Sequence, residues 1–278
     1  MDSSHTIDPA GETDRPKVKD HSRGDLLERL CAQTPARVLT GRAGPAYRTE
    51  TWLGLRRDHA AAKDAVAIEL DLAADFGLEF TSEWGLFEVA TLARTKRDFL
   101  LEPESGRSLE PAARTELRLR CPVEADFQIV IADGLSAAAI RAQVPSLLPL
   151  LAAAAKHRGW QFGQPFFIRH ARVGVLNDIG DILNPLIVAL LIGERPGLAT
   201  AESLSAYMAY RPQPGHDDSR RNLISNIHSR GIAPEQAALR IAELAAQMMR
   251  METSGVTVKE EWTSGESRLG VAAAGGIS

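Results

Sequence analysis

The residues able to do chemistry gather at the ends of apolar runs in the second half of the chain. Gly193-Glu194-Arg195-Pro196-Gly197 follows the run Ile187 to Ile192. A carboxylate at that place can accept hydrogen bonds from the amides or hydroxyls of a large polar cofactor, and flanking glycines let backbone approach a ligand. The same two charges also read as a loop salt bridge, which contributes little when exposed. Arg169, His170 and Arg172 crowd the end of the segment Gln164 to Val173. They form either a solvated basic edge that discourages strand pairing or partners for Glu194 or Asp133. Asp133-Gly134-Leu135-Ser136 follows Phe127 to Ala132. It reads as a turn with Ser136 capping a helix, or as a polar lip on a ligand crevice. His228 closes the alternating stretch Asn222 to Ile227, and a buried histidine with satisfied hydrogen bonds is commoner there than a catalytic one. His59 and Lys63 lie one turn apart on a charged, alanine-rich segment. That face reads as solvated, or as one that packs closely on another subunit. No Ser/His/Asp or Cys/His set shows convincing spacing.

Other chemistries lack their fingerprints. Neither G-x-G-x-x-G nor G-x-x-x-x-G-K-[ST] occurs after the first strand of the second half, so standard dinucleotide and nucleotide readings have no motif. Seven histidines are scattered without zinc-ligand spacing. Two cysteines, Cys31 and Cys121, lie far apart, which suits reduced thiols in a cytosolic protein better than a disulfide framework. A formal net charge of -4 does not call for nucleic acid, whose binders carry a strongly basic face. The first twenty residues are polar, unlike a secretory leader, and there is no unbroken apolar run of about eighteen residues to span a membrane.

The 278 residues, 44% of them hydrophobic, suffice for one large domain or two ordinary ones. The patterning predicts four parts. Residues 1–24 read as a disordered tail, 25–120 as a helical domain, 121–262 as an α/β domain and 263–278 as a flexible tail. Asp25 is placed to cap a short helix through Leu30. Helices are expected over Asp58 to Leu70 and Thr81 to Arg97, with loops over Gly41 to Thr49 and Pro103 to Pro111. In the α/β part, strands are expected at Phe127–Ala132, Gln164–Val173, Ile187–Ile192 and Leu204–Tyr210. A helix from Ser136 to Arg158 should break or kink at Pro145 and Pro149. A shorter helix spans Asn177 to Leu183. Pro234 opens a last helix whose inner face is Ala237, Ile241, Leu244 and Met248. Strand–helix alternation predicts a Rossmann-like, mostly parallel sheet. The mouth at the carboxyl ends of its strands is where ligands of such sheets sit.

Several long segments together resemble the small (light) subunit of ethanolamine ammonia-lyase. They include Gly41-Arg-Ala-Gly44, Asp58-His-Ala-Ala-Ala-Lys-Asp-Ala-Val66, Ile131-Ala-Asp-Gly-Leu-Ser-Ala137, Pro165-Phe-Phe-Ile-Arg169, Leu191-Ile-Gly-Glu-Arg-Pro-Gly-Leu198, Glu202-Ser-Leu-Ser-Ala-Tyr207 and Ile224-Ser-Asn-Ile-His228. The resemblance runs from about Leu26 to about Met251. It implies an adenosylcobalamin enzyme that converts ethanolamine to acetaldehyde and ammonia by a radical mechanism. In that family a large subunit with a β/α barrel holds the substrate, and the small subunit covers the corrin. Six large and six small subunits assemble into a hetero-oligomer. Carried over by motif, the cobalamin contacts fall on Val173, Glu194 and Leu223, the last where the family often has cysteine. A main-chain contact survives that change and a thiol-dependent one does not. No catalytic residue is expected on this chain, because the reactive chemistry belongs to the cofactor. The expected location is the cytoplasm, with a bacterial microcompartment as the alternative, since the family's N-terminal extension can act as an address. Two rival readings are a stand-alone nucleotide- or flavin-binding module and a scaffold subunit without ligand contact.

Overall fold

The computed structural model describes residues 21–32, 40–197 and 200–260. The chain divides into a unit Met1–Thr40 and a unit Gly41–Ser278. In the first, α1 spans His21–Ala32. It starts one turn before Asp25, which therefore lies inside the helix and pairs with Arg29 at 2.7 Å instead of capping. Of the expected tail over 1–24, residues 1–20 lie outside the described residues and 21–24 are helical. All of the expected tail over 263–278 likewise lies outside them.

In the second unit a small hairpin, β1 (Arg42–Ala43) and β2 (Ala46–Tyr47), replaces the loop expected there. Gly44 takes φ 61, which a tight hairpin turn needs. Then come α2 (Thr49–Ala67), α3 (Leu72–Glu83), β3 (Glu88–Ala90), α4 (Lys96–Leu101), a 3-10 turn at Pro103–Arg107 and α5 (Pro111–Arg120). The helix expected over Thr81–Arg97 is not formed. Gly85 at φ 56 ends the α3 segment and the chain enters β3 instead. β3 is short and pairs with a later strand, so its partner is invisible to local periodicity.

The remaining elements are β4 (Phe127–Ala132), α6 (Ala137–His157), β5 (Phe166–Arg169), a 3-10 turn at Val173–Val175, α7 (Leu176–Leu183), β6 (Ile187–Gly193), β7 (Leu204–Tyr210), β8 (Asn222–Ile227) and α8 (Pro234–Met251). One six-stranded sheet runs in the order β3-β5-β4-β6-β7-β8. Its first four strands are mutually parallel; β7 is antiparallel to β6, and β8 is antiparallel to β7 and so runs with the first four. The sheet is therefore mixed where a mostly parallel one was expected. The reason lies in the connection: Glu194–Ser203 has no helix among the described residues, and a parallel return needs a crossover of a dozen residues or more, usually helical.

Alternation of side chains covers both faces of the sheet. Phe127, Ile129 and Ile131 of β4, with Ile187, Ala189 and Leu191 of β6, pack against α6 and α8. Val130, Ala132, Val188, Leu190 and Ile192 point the other way, against α5 and α7. Hence every residue of β4 and β6 is buried, which explains their unbroken apolar runs. α6 passes through Pro145 and Pro149 without a break. Each proline forfeits a helical hydrogen bond, at about 3 kcal/mol, but ten buried residues hold this helix in the core. α6 is also the one described helix long and apolar enough to cross a membrane, and half of it is buried inside the fold.

Candidate functional site

Because β4, β5 and β6 are parallel, their carboxyl ends meet at one edge of the sheet. Asp133 follows β4, His170 follows β5 and Glu194 follows β6. Each strand end is finished differently.

The β4 end is closed. Asp133 is fully buried. Its Oδ1 accepts the His170 N–H at 2.8 Å, while Oδ2 has no hydrogen bond and faces Lys96 Nζ at 3.6 Å. Burial raises the carboxyl pKa above its ordinary range, against the opposing pull of Lys96. Lys96 also donates to the Gly134 carbonyl at 3.1 Å. His170 sits at φ 56, a conformation that costs about 1–3 kcal/mol for a non-glycine residue. Its bond to Asp133, its ring contacts with the Ala93 carbonyl (3.1 Å) and Glu69 (3.3 Å), and its stacking on Phe99 offset that cost. In the following turn Leu135 N–H donates to Gly193 O at 3.1 Å and Ser136 N–H to Asp133 O at 3.0 Å. Ser136 Oγ accepts from Ala139 N–H at 3.2 Å, as a helix cap does, and donates to Ala201 O at 2.5 Å. These amides are spent, so the turn offers no cradle for a nucleotide phosphate.

The glycines here serve packing. A Cβ on Gly193 would lie 2.1 Å from Ser136 O, and one on Gly134 would lie 2.6 Å from Gly193 O. This corrects the expectation that Gly193 lets a ligand approach: the chain's own turn fills that space.

The β6 end is open. Glu194 accepts from Ser203 Oγ at 2.8 Å, Ser205 Oγ at 2.7 Å and Asn226 N–H at 2.9 Å. The last bond exists because β8 bulges. Ser205 stands opposite both Ser225 and Asn226, and Asn226 takes φ 62, which frees its N–H from the ladder. Arg195 is exposed and makes no ion pair or hydrogen bond among the described residues, so the expected loop salt bridge is not formed.

Between these ends lies a cavity of about 360 Å³. Val173, Glu194 and Leu223, distant in sequence, all line it, together with Leu135, Ile192, Phe99, Arg172, Arg195, Tyr207 and Ser225. Val173 opens a 3-10 turn after β5. Leu223 on β8 pairs with Tyr207 on β7 and is 46% exposed, at the rim. Arg172 Nη2 donates to Phe99 O at 2.8 Å and the guanidinium stacks on that ring, while its buried Nε has no partner. Burial first, and then repulsion from Arg195, lower the Arg172 pKa. Burial, and then Glu194, raise that of Tyr207.

The basic cluster after β5 therefore splits. Arg169 turns to Glu88, bonding both carboxylate oxygens at 2.5 and 2.7 Å, and His170 turns to Asp133. Arg172 alone lines the cavity. His228 is a turn residue: Nδ1 accepts Arg230 N–H at 3.2 Å and Nε2 meets Asn226 Oδ1 at 2.8 Å. His59 and Lys63 are exposed on α2. Among the described residues no group of His, Cys, Asp and Glu could hold a metal ion. Sequence reasoning missed Tyr207, Ser225, Lys96 and Phe99. Only Tyr207 had a signal, a polar aromatic inside an apolar strand, and its place at the mouth depends on the antiparallel pairing of β7.

A family model described as "Ethanolamine ammonia-lyase light chain (EutC)" matches residues 24–259. The chain is 37% identical over 262 residues to the protein from Clostridioides difficile (strain 630) named "Ethanolamine ammonia-lyase small subunit". The match covers 93% of this chain and 87% of that one.

Proposed function

This chain belongs to the ethanolamine ammonia-lyase light chain family, and from that we propose that it is the corrinoid-covering subunit of an adenosylcobalamin-dependent lyase. Its partner is a large subunit that holds ethanolamine, in a hetero-oligomer of six large and six small chains, in the cytoplasm or a microcompartment. The single observation that carries the reading is that Val173, Glu194 and Leu223 line one cavity at the carboxyl edge of the sheet. The parallel strands β3, β5, β4 and β6 are the Rossmann-like part of the fold, and the mouth lies beyond their ends.

The residues present fit one side of a corrin. At about 360 Å³ the cavity is near the lower end of small-molecule pockets, which run from ~300 to ~1,000 Å³. It accommodates one edge of the corrin with a peripheral arm and leaves the rest of the macrocycle to another surface. Leu135, Ile192, Val173 and Leu223 offer apolar contact for ring methyls, and Tyr207, Ser225 and Arg172 offer donors for amide carbonyls. When bound, adenosylcobalamin supplies the radical chemistry that turns ethanolamine into acetaldehyde and ammonia. The chain's own part is to hold one edge of the cofactor and to keep water from the reacting side. Glu194 acts within the wall, tying β6, β7 and β8 together through its three hydrogen bonds.

The test is co-expression with the large subunit, followed by a spectrum for retained cobalamin and an acetaldehyde assay. The complex should hold cobalamin and deaminate ethanolamine, and the chain alone should do neither. Deamination by the purified chain alone would refute the proposal.

A further inference from the structure

The polar lining of the cavity is unbalanced. Its one carboxylate, Glu194, has both oxygens occupied by Ser203, Ser205 and Asn226. The groups left over are donors: the Arg195 guanidinium and the hydroxyls of Tyr207 and Ser225 in the lining and, closed off from solvent behind it, the Arg172 Nε. None of these has a hydrogen-bond partner among the described residues. Arg172 and Arg195 also stand close enough for their charges to repel, and donors that line a cavity without an acceptor are unfavourable. An acceptor carrying negative charge would relieve both penalties.

We propose that this cavity contains an oxyanion subsite for a phosphate group, held by the Arg172 and Arg195 guanidiniums with the Tyr207 and Ser225 hydroxyls as further donors. Guanidinium is the side chain best suited to phosphate. Donors from four separate segments around one cavity suit tetrahedral oxygens better than the flat edge of a carboxylate. Glu194 does not defeat the site, because the lining carries two cations against this one spent anion. The phosphate has two possible sources, free phosphate or the phosphodiester of a cobalamin nucleotide loop, and the second rests on the function proposed above.

The full-length chain is titrated with inorganic phosphate by calorimetry, and its complex with the large subunit is titrated with cobalamin and with cobinamide, which lacks the phosphodiester. Arg195→Gln is the main variant, because this exposed residue can be changed without disturbing the fold; its thermal unfolding should match wild type. Arg172→Gln is avoided because Arg172 packs on Phe99. Tyr207→Phe removes only a hydroxyl. Phosphate should bind saturably to the wild-type chain, about tenfold more weakly to Arg195→Gln and a few-fold more weakly to Tyr207→Phe. The complex should prefer cobalamin to cobinamide, and Arg195→Gln should shrink that preference. Phosphate binding without corrinoid discrimination supports the subsite and assigns it to free phosphate. Discrimination without phosphate binding supports it and assigns it to the phosphodiester. Absence of both, or indifference of both to Arg195, overturns it. A complex that binds neither corrinoid refutes the cobalamin reading alone, and the phosphate titration then decides the subsite by itself.

Discussion

The β4–α6 turn and the mouth beyond β6 look alike as strings of residues. Each follows a buried apolar strand, each carries a carboxylate, and each has glycine beside it. In three dimensions they are opposites. At the β4 turn Asp133 is fully buried, the amides of Leu135 and Ser136 are bonded within the chain, and the space over Gly134 is filled by Ile192 and Gly193. At the β6 mouth Glu194 is bonded to three partners, yet Arg195, Tyr207, Ser225 and Arg172 line a cavity with donors to spare. Glycine and charge at a strand end therefore do not by themselves mark a ligand site. Unspent hydrogen-bonding groups around open volume do.

If the β4 turn is closed by its buried carboxylate, removing that group should have the largest effect. Asp133→Ala leaves the His170 N–H and the nearly buried Lys96 ammonium without their partner, and should cost about 3–5 kcal/mol in urea unfolding. A loss below about 1 kcal/mol would mean that the turn is held by packing alone. The pH dependence follows from the same group. Burial raises the folded-state pKa of Asp133, so its protonated form is favoured in the fold. That contribution is full below the unfolded value of ~3.9 and is lost as pH rises through the raised folded value. The alanine variant should lack this slope.

Gly193→Ala comes next. The added methyl would meet backbone oxygens of Ser136 and Asp133 at 2.1 and 2.7 Å, atoms that cannot step aside like the tip of a side chain. Loss of about 3 kcal/mol is expected, measured by thermal unfolding, whereas a ligand-approach glycine would accept alanine with little change in stability. Glu194→Gln is smaller. One oxygen is kept and one acceptor becomes a donor facing a serine or the Asn226 N–H, for a cost of about 1–2 kcal/mol with weaker cobalamin retention in the complex. Retention unchanged at equal stability would remove Glu194 from the wall of the site. The smallest effect is a control away from the edge. Burial pushes the Cys121 thiol up to about 12, while Cys31 is exposed. A thiol reagent at pH 8 should therefore label Cys31 quickly and Cys121 only on unfolding.

The parts legible in the sequence are those whose burial is periodic. β4, β7, the Ser136 cap and the start of α8 at Pro234 emerge within a residue of expectation because local pattern and packing agree. The antiparallel pairing of β7 and β8 does not emerge from pattern, although the short link from β6, helix-free among its described residues, excludes a parallel return of β7. β3 is hidden because three residues beside Gly85 carry too little periodicity, and the prolines of α6 do not break it because its buried face outweighs their local cost. For the site, Glu194 and Arg172 stood out by type and place. Their surroundings did not: the serine partners of Glu194 arrive on β7, and the free Asn226 N–H depends on a bulge in β8. Both are products of strand register, which no short stretch of residues encodes.

The most direct test of the corrinoid reading is at Leu223, which stands on the cavity rim and is exposed enough to be enlarged without stressing the core. Leu223→Trp in the complex with the large subunit should leave assembly and thermal stability as in wild type and reduce cobalamin retained after dialysis by about tenfold or more. Wild-type retention by a correctly assembled Leu223→Trp complex would show that the mouth of this sheet does not touch the cofactor.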